Sequence, residues 1–275
     1  MTFGVSNTTV RQGDVTALDG VTVTLKPGEV TAVVGADGAG KTTLLRVLAG
    51  LVHADSGSVA TPGAERIGYL PSGVGSWKDL TVAENVAFVG AAYGLTGADL
   101  ADRADPILEQ AGLAHVTDRL ARQLSGGMRT KLGVSLALLH SPGLLILDEP
   151  TTGVDPVSRV EVWRMISEAV ANGATAVMTT TYMDEAERAA SVVLLGEGRV
   201  LLSGSADDLI AAMPGAVGVV DAPTDPTLSW RVGPVFHEWF PDGRPESVDP
   251  FAADLEDACI VADLSARDAT VGHGR

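Results

Sequence analysis

A single cysteine, Cys259, occurs in 275 residues. A lone thiol excludes an intramolecular disulfide and any cysteine-based metal cluster. Basic residues are also scarce: 19 Lys and Arg stand against 35 Asp and Glu, for a formal net charge of −16. Nucleic-acid binding needs clustered Lys and Arg to meet phosphates, and docking on anionic lipid needs a basic face. Neither partner is expected. Long apolar runs are missing too. The most apolar stretch, residues 132–147, is broken by His140, Ser141, Pro142 and Gly143, and a membrane-spanning helix needs ~20 apolar residues. No basic stretch followed by an apolar run opens the chain, so no signal peptide is expected. A cytosolic setting fits these absences, with any membrane role exercised through a partner.

Hydrophobic residues make up 45% of the chain, enough for one large domain or for a core domain with an appendage. Residues 21–25 alternate polar and apolar, as a half-buried strand does. Residues 30–34 form a continuous apolar run, the mark of a buried parallel strand. Further strands are expected at 66–70, 144–148, 174–179, 192–195 and 200–202. Helices are expected at 41–50, 80–95, 97–112, 125–140, 156–172 and 184–190, with Pro106 breaking or kinking the third. Strands alternating with helices imply a mostly parallel α/β core, interrupted by an inserted helical block at about 80–140. After Met213 the chain turns Pro-, Gly- and Asp-rich. The boundary falls there, giving a core of residues 1–213 and an extension of residues 214–275. In the extension, Trp230, Phe236, Trp239 and Phe240 suit a small satellite core, and the last ten residues read as disordered. No internal repeat is visible.

The segment Gly35-Ala36-Asp37-Gly38-Ala39-Gly40-Lys41-Thr42-Thr43 fits the phosphate-loop pattern, between an expected strand and an expected helix. Glycines let backbone N–H groups turn together into an anion nest, and the following helix points its positive end at the same charge. Lys41 would reach the β- and γ-phosphates of ATP, and Thr42 would ligate Mg²⁺. An apolar strand ending in Asp148 and Glu149 supplies the complement. Asp148 can hold Mg²⁺, and Glu149 can orient the attacking water as the catalytic base.

Leu124-Ser125-Gly126-Gly127-Met128 opens a helix with exposed N–H groups and a small hydroxyl, another anion-binding shape. Its plainer role is a serine N-cap. Followed by the Asp148-Glu149 strand, it resembles the signature of ABC ATPases, and Pro150-Thr151-Thr152-Gly153-Val154-Asp155 looks like that family's D-loop. The resemblance covers about residues 10–205. It implies the ABC ATPase fold: a phosphate-loop, RecA-like α/β core with an antiparallel β subdomain, an inserted α-helical subdomain and, here, a small C-terminal extension. It further implies head-to-tail pairing with a second ABC ATPase domain, each ATP lying between one domain's phosphate loop and the other's signature, here Ser125, Gly126 and Gly127.

Three positions depart from the family pattern. Gln12 stands where an aromatic residue stacks on adenine, a contact worth about 1–3 kcal/mol per base in single-strand binders. Ser72, after Ile67-Gly68-Tyr69-Leu70-Pro71, replaces the Gln that reaches Mg²⁺ and reports to the permease. Thr181, in Thr179-Thr180-Thr181-Tyr182-Met183-Asp184-Glu185, replaces the switch His at the γ-phosphate and cannot carry its charge. His53, His115, His140, His237 and His273 read as surface or cap residues. Three losses around one nucleotide read as a degenerate site, with the signature serving the competent site of a heterodimeric partner.

Gly153-Val154-Asp155-Pro156-Val157-Ser158-Arg159 and Tyr182-Met183-Asp184-Glu185-Ala186-Glu187 resemble the first ATPase half of fused double-ABC, ABC-2 type multidrug exporters. That relation implies a second ATPase on a separate chain and an integral membrane permease, placing this chain at the cytoplasmic face of the cell membrane. Trp77 either receives the permease or packs under its own subdomain. Two other classes compete: a non-catalytic ATP-binding regulatory subunit, and a soluble non-transport ABC ATPase, against which the short, acidic chain counts.

Overall fold

The computed structural model describes residues 2–73 and 75–272, and the side chains up to residue 267. The chain opens with β1 (Phe3–Gln12) and β2 (Val15–Leu25), an antiparallel hairpin in which Gln12 pairs with Val15. It then enters β3 (Val30–Val34), all five residues buried, and α1 (Lys41–Leu48). The strand β4 (Ser56–Ala60) returns to β1, closing a three-stranded antiparallel sheet of order β2–β1–β4. Next comes β5 (Ile67–Leu70), and then the inserted helices α2 (Val82–Ala92), α3 (Gly97–Gln110) and α4 (Gly126–Leu138). A capping box starts α2. Glu84 donates its N–H to Thr81 Oγ1 at 3.1 Å, and Thr81 donates its N–H to Glu84 Oε2 at 2.7 Å.

The core resumes with β6 (Leu144–Leu147), α5 (Pro156–Ala171), β7 (Thr175–Thr179), the short α6 (Met183–Ala186), β8 (Ser191–Gly196) and β9 (Arg199–Gly204). These strands build a six-stranded sheet of order β5–β6–β7–β3–β8–β9. All neighbours run parallel except β9, which turns back on β8. The inner strands β3, β6 and β7 are buried on both faces, which is why their sequences are apolar without alternation. One apolar core fills the space between this sheet, α4, α5 and the inserted helices. The other lies between the sheet, α1 and the antiparallel hairpin.

Pro106 does not interrupt α3, which runs unbroken to Gln110. The ring removes the amide that would serve the Asp102 carbonyl. Both residues are exposed, so water can take its place.

Beyond Met213 the chain stays folded. After α7 (Ala206–Ala211), β10 (Ala216–Val220), β11 (Ser229–Val232) and β12 (Val235–Phe240) form an antiparallel sheet of order β10–β12–β11. The helix α8 (Leu255–Gly272) covers it. The satellite core holds Val217, Trp239 and Val261, with Trp230 packed against it, while Phe236 and Phe240 stay half-buried at its margin. Leu255 and Cys259 of α8 belong instead to the main core. Residues 266–272, read as disordered from the sequence, continue α8 to Gly272. The other three of those ten, His273 among them, lie outside the described residues.

Two histidines are not surface or cap residues. His237 is buried beneath α8, its Nδ1 2.7 Å from Asp257 Oδ1, because the helix brings a carboxylate to cover it. His140 stacks on Tyr93 with ring centroids 3.7 Å apart. His53 and His115 are exposed, as expected.

Candidate nucleotide site

The loop 35–40 joins buried β3 to α1 at the end of the parallel sheet where strands 3, 6 and 7 finish. Gly40 caps α1 with φ of 103°, a left-handed conformation that glycine adopts without strain. A Cβ there would sit 2.6 Å from the Ala17 carbonyl oxygen and 2.9 Å from Leu18 Cδ2. The β1–β2 hairpin therefore rests directly on the loop. Asp37 and Gly38 are exposed at its tip, and Ala39 is buried beneath it. Lys41 is buried, and its Nζ donates to the carbonyls of Gly35 at 2.8 Å and Ala36 at 3.0 Å. No carboxylate neutralises Lys41 among the described residues, so an ammonium ion is held in the loop by carbonyl dipoles alone. Thr42 and Thr43 are half-buried on the first turn of α1.

Asp148 follows β6 directly, and its N–H donates to the Leu70 carbonyl at 2.9 Å. Its Oδ1 accepts from Thr179 Oγ1 at 2.8 Å and from Thr42 Oγ1 at 3.3 Å. Its Oδ2 is buried with no hydrogen-bond partner. A buried carboxylate oxygen left unpaired is costly, and a hard-oxygen pair of carboxylate and hydroxyl is the donor chemistry Mg²⁺ takes. Mg²⁺ commonly keeps waters and phosphate oxygens as its remaining ligands. No cluster of three or more His, Cys, Asp or Glu suited to a metal occurs among the described residues. Asp148 and Thr42 thus fit a metal ion that arrives with its nucleotide.

Glu149 adopts φ of 51°, unusual for a residue with a side chain. Its N–H donates to Thr179 Oγ1 at 2.8 Å, and its Oε2 accepts from Thr152 Oγ1 at 3.2 Å. One buried hydroxyl, Thr179, therefore bonds both acidic residues. Reading the sequence assigned Thr179 no role. Its place as the last residue of an inner parallel strand was the available signal.

Ser125 caps α4, its Oγ accepting from the Met128 N–H at 3.2 Å. Ser125 and Gly126 are exposed, and Gly127 is buried against the start of α5. No hydrogen bond joins residues 125–127 to the phosphate loop among the described residues. The three departing residues are all exposed: Gln12 ends β1, Ser72 follows β5, and Thr181 lies between β7 and α6.

The family model described as "ABC transporter" matches residues 18–152. The "Daunorubicin resistance ATP-binding protein DrrA3" of Streptomyces coeruleorubidus is 38% identical over 216 residues, which are 74% of this chain and 68% of that protein. The chain belongs to the ABC transporter family. The matched region is an ABC transporter ATP-binding domain. The "Probable multidrug ABC transporter ATP-binding protein YbhF" of Escherichia coli is 41% identical over 210 residues, 73% of this chain but 36% of that protein. The chain thus spans about a third of YbhF's length. Among solved structures, an "ATP binding subunit of ABC transporter" superposes with a TM-score of 0.71 at 28% identity, covering 77% of this chain and 92% of that one.

Proposed function

We propose that this chain is the ATP-binding subunit of an ABC-2 type exporter, that its own nucleotide site is degenerate, and that its signature completes the site of a partner ABC domain. The observation that carries this reading is the contrast within one site. Thr42 and Asp148 share a hydrogen bond, with Lys41 and Glu149 next to them in the chain, while exposed Gln12, Ser72 and Thr181 lack the groups that stack on adenine, reach the metal and meet the γ-phosphate. The names of DrrA3 and YbhF support a drug-export setting.

In this reading the loop N–H groups of residues 35–43 and the start of α1 hold the phosphates. Lys41 exchanges its two carbonyl contacts for phosphate oxygens. Thr42 and Asp148 hold Mg²⁺, which when bound neutralises charge on the phosphates. Glu149 orients the attacking water and accepts its proton. Thr181 offers a hydroxyl but no charge, so turnover at this site is slow. Ser125, Gly126 and Gly127, exposed at the head of α4, meet the partner's ATP.

A permease surface is proposed on the inserted helices. Trp77 is 46% exposed and Phe88 53%, with ring centroids 4.5 Å apart. They border a depression of about 430 Å³ floored by Tyr69, Tyr93 and Leu136. An aromatic ledge of this kind suits an apolar helix end from a membrane partner, which would hold the chain at the cytoplasmic face of the membrane.

The test is steady-state Mg-ATP hydrolysis by the purified chain, beside Glu149→Gln and Lys41→Ala. Binding of ATP that Lys41→Ala abolishes, with little or no turnover by the chain alone, supports the degenerate site. Brisk turnover removed by Glu149→Gln refutes it and makes the chain a self-sufficient homodimeric ATPase.

A further inference from the structure

A buried polar cluster outside the phosphate loop centres on Glu185, which is wholly buried in α6. Its Oε2 accepts from two hydroxyls, Thr151 Oγ1 at 2.8 Å and Thr180 Oγ1 at 2.7 Å. Its Oε1 accepts from Arg159 Nε at 3.0 Å. Arg159 also donates to both carboxylate oxygens of Asp184 at 3.0 Å and lies over the Tyr182 ring, 4.1 Å from its centroid. Tyr182 returns its N–H to Thr180 Oγ1 at 3.1 Å. The residues on both sides of Thr181 are therefore tied to one carboxylate, although Thr181 itself is exposed.

The same carboxylate grips the other side. Thr151 lies two residues after Glu149, and Arg159 is on the first turns of α5. Between them Asp155 caps α5, accepting from the N–H groups of Val157 at 3.1 Å and Ser158 at 3.0 Å, bonds that hold its carboxyl below the usual carboxylate range. This capped turn abuts the signature. A Cβ on Gly127 would collide with Ser158 and sit 3.1 Å from Asp155 Oδ2. The head of α4 thus has no slack against residues 155–158, and interiors packed this closely pass displacements on instead of absorbing them.

We infer that Glu185 is a positioning residue that clamps the segment after Glu149 to the segment around Thr181, so that nucleotide binding at this chain's own site is transmitted through residues 151–159 to its signature at 125–127. The inference rests on the reading of residues 35–43, Asp148 and Glu149 as the ATP site. It gives an ATP that turns over slowly a use: its presence sets the signature that the partner's site depends on. A buried carboxylate suits the task because its acceptors are satisfied by groups from two segments at once, and neither segment can leave without stranding a charge.

The test is hydrogen–deuterium exchange on the full chain, with and without Mg-ATP, at a concentration where it is monomeric. In the wild type, ATP slows exchange at residues 35–43 and slows it at least threefold at 180–186 and 125–128. Thr151→Val keeps the effect at 35–43 and loses more than half of it at 125–128 and 180–186, while Thr151→Ser, which restores the hydroxyl, restores both. Glu185→Gln gives the same loss, because a carboxamide accepting from both threonines turns its own donor towards Arg159. Its buried position puts the fold at risk, so Thr151→Val carries the test. Wild-type protection at 125–128 in Thr151→Val overturns the linkage. So does a lowered melting temperature with an unchanged ATP response, which is what a merely structural role produces. ATP protection confined to 35–43 in the wild type refutes the linkage alone. No protection at 35–43 in the wild type defeats the reading of the site, and the linkage with it.

Discussion

Replacing Thr179 by Val tests how the two acidic residues are held. The side chains are nearly the same shape, so no cavity opens and the change is confined to one hydroxyl. That hydroxyl donates to the Asp148 carboxylate at 2.8 Å and accepts the Glu149 N–H at 2.8 Å. A hydrogen bond to a charged group contributes about 1.5–3 kcal/mol, and a buried N–H left unpaired costs about 1–3 kcal/mol. Glu149 stands at φ of 51°. Left-handed backbone at a non-glycine residue costs ~1–3 kcal/mol, and part of that returns when the N–H is released. The net expectation is a destabilisation of about 2–4 kcal/mol for Thr179→Val. Thr179→Ser keeps both bonds and loses one methyl, at about 1 kcal/mol. Urea unfolding at neutral pH separates the two variants. The reasoning fails if the Val variant is as stable as the Ser variant, because the hydroxyl would then be holding nothing. Nucleotide binding adds a second reading: Thr179→Val should weaken ATP binding more in the presence of Mg²⁺ than in its absence, since Asp148 loses the donor that orients it.

Three further outcomes follow from the packing. Leu255→Ala empties a site of zero exposure where α8 enters the main core, and should cost about 2–5 kcal/mol in chemical unfolding; a loss below ~1 kcal/mol would mean that the helix is not docked there. Cys259 is buried in the same core, and burial pushes its thiol up to about 12, so maleimide should label the native chain negligibly and the urea-unfolded chain fully, whereas rapid native labelling would show α8 detached. Burial, with a smaller contribution from the Arg103 guanidinium, holds the His140 pKa below its ordinary 6.5, and its buried Nδ1 has no partner to receive an added proton. The unfolded chain therefore takes up that proton first, so this stability is fully present above pH 6.5 and is lost as pH falls through the folded value. Unfolding midpoints at pH 7.5 and about 5.5 should differ more for the wild type than for His140→Phe, and equal differences would refute the assignment.

The features legible in the chain were those written in consecutive residues. The phosphate loop is one: nine neighbours, between an apolar strand and a helix, whose geometry depends on backbone freedom at glycine. The parallel core is another, since β3, β6 and β7 need apolar residues on both faces and say so without reference to any partner. The head of α4 at Ser125 follows from capping chemistry within four residues. Element ends were less legible. The continuation of α3 through Pro106 depended on solvent reaching the carbonyl that proline leaves free.

What the chain order concealed were contacts between distant segments. Thr179 bonds Asp148 and Glu149 only because β7 lies beside β6, 31 and 30 residues away in sequence. Glu185 gathers Thr151, Arg159 and Thr180 because α6 folds back over the start of α5. His237 is buried because Asp257 arrives on α8 twenty residues later to cover it. In each case a local pattern could state that a polar side chain was present. Whether it would be solvated or buried, and against which partner, was decided by which strands and helices became neighbours, since a buried polar group is held only by a partner that tertiary packing brings to it.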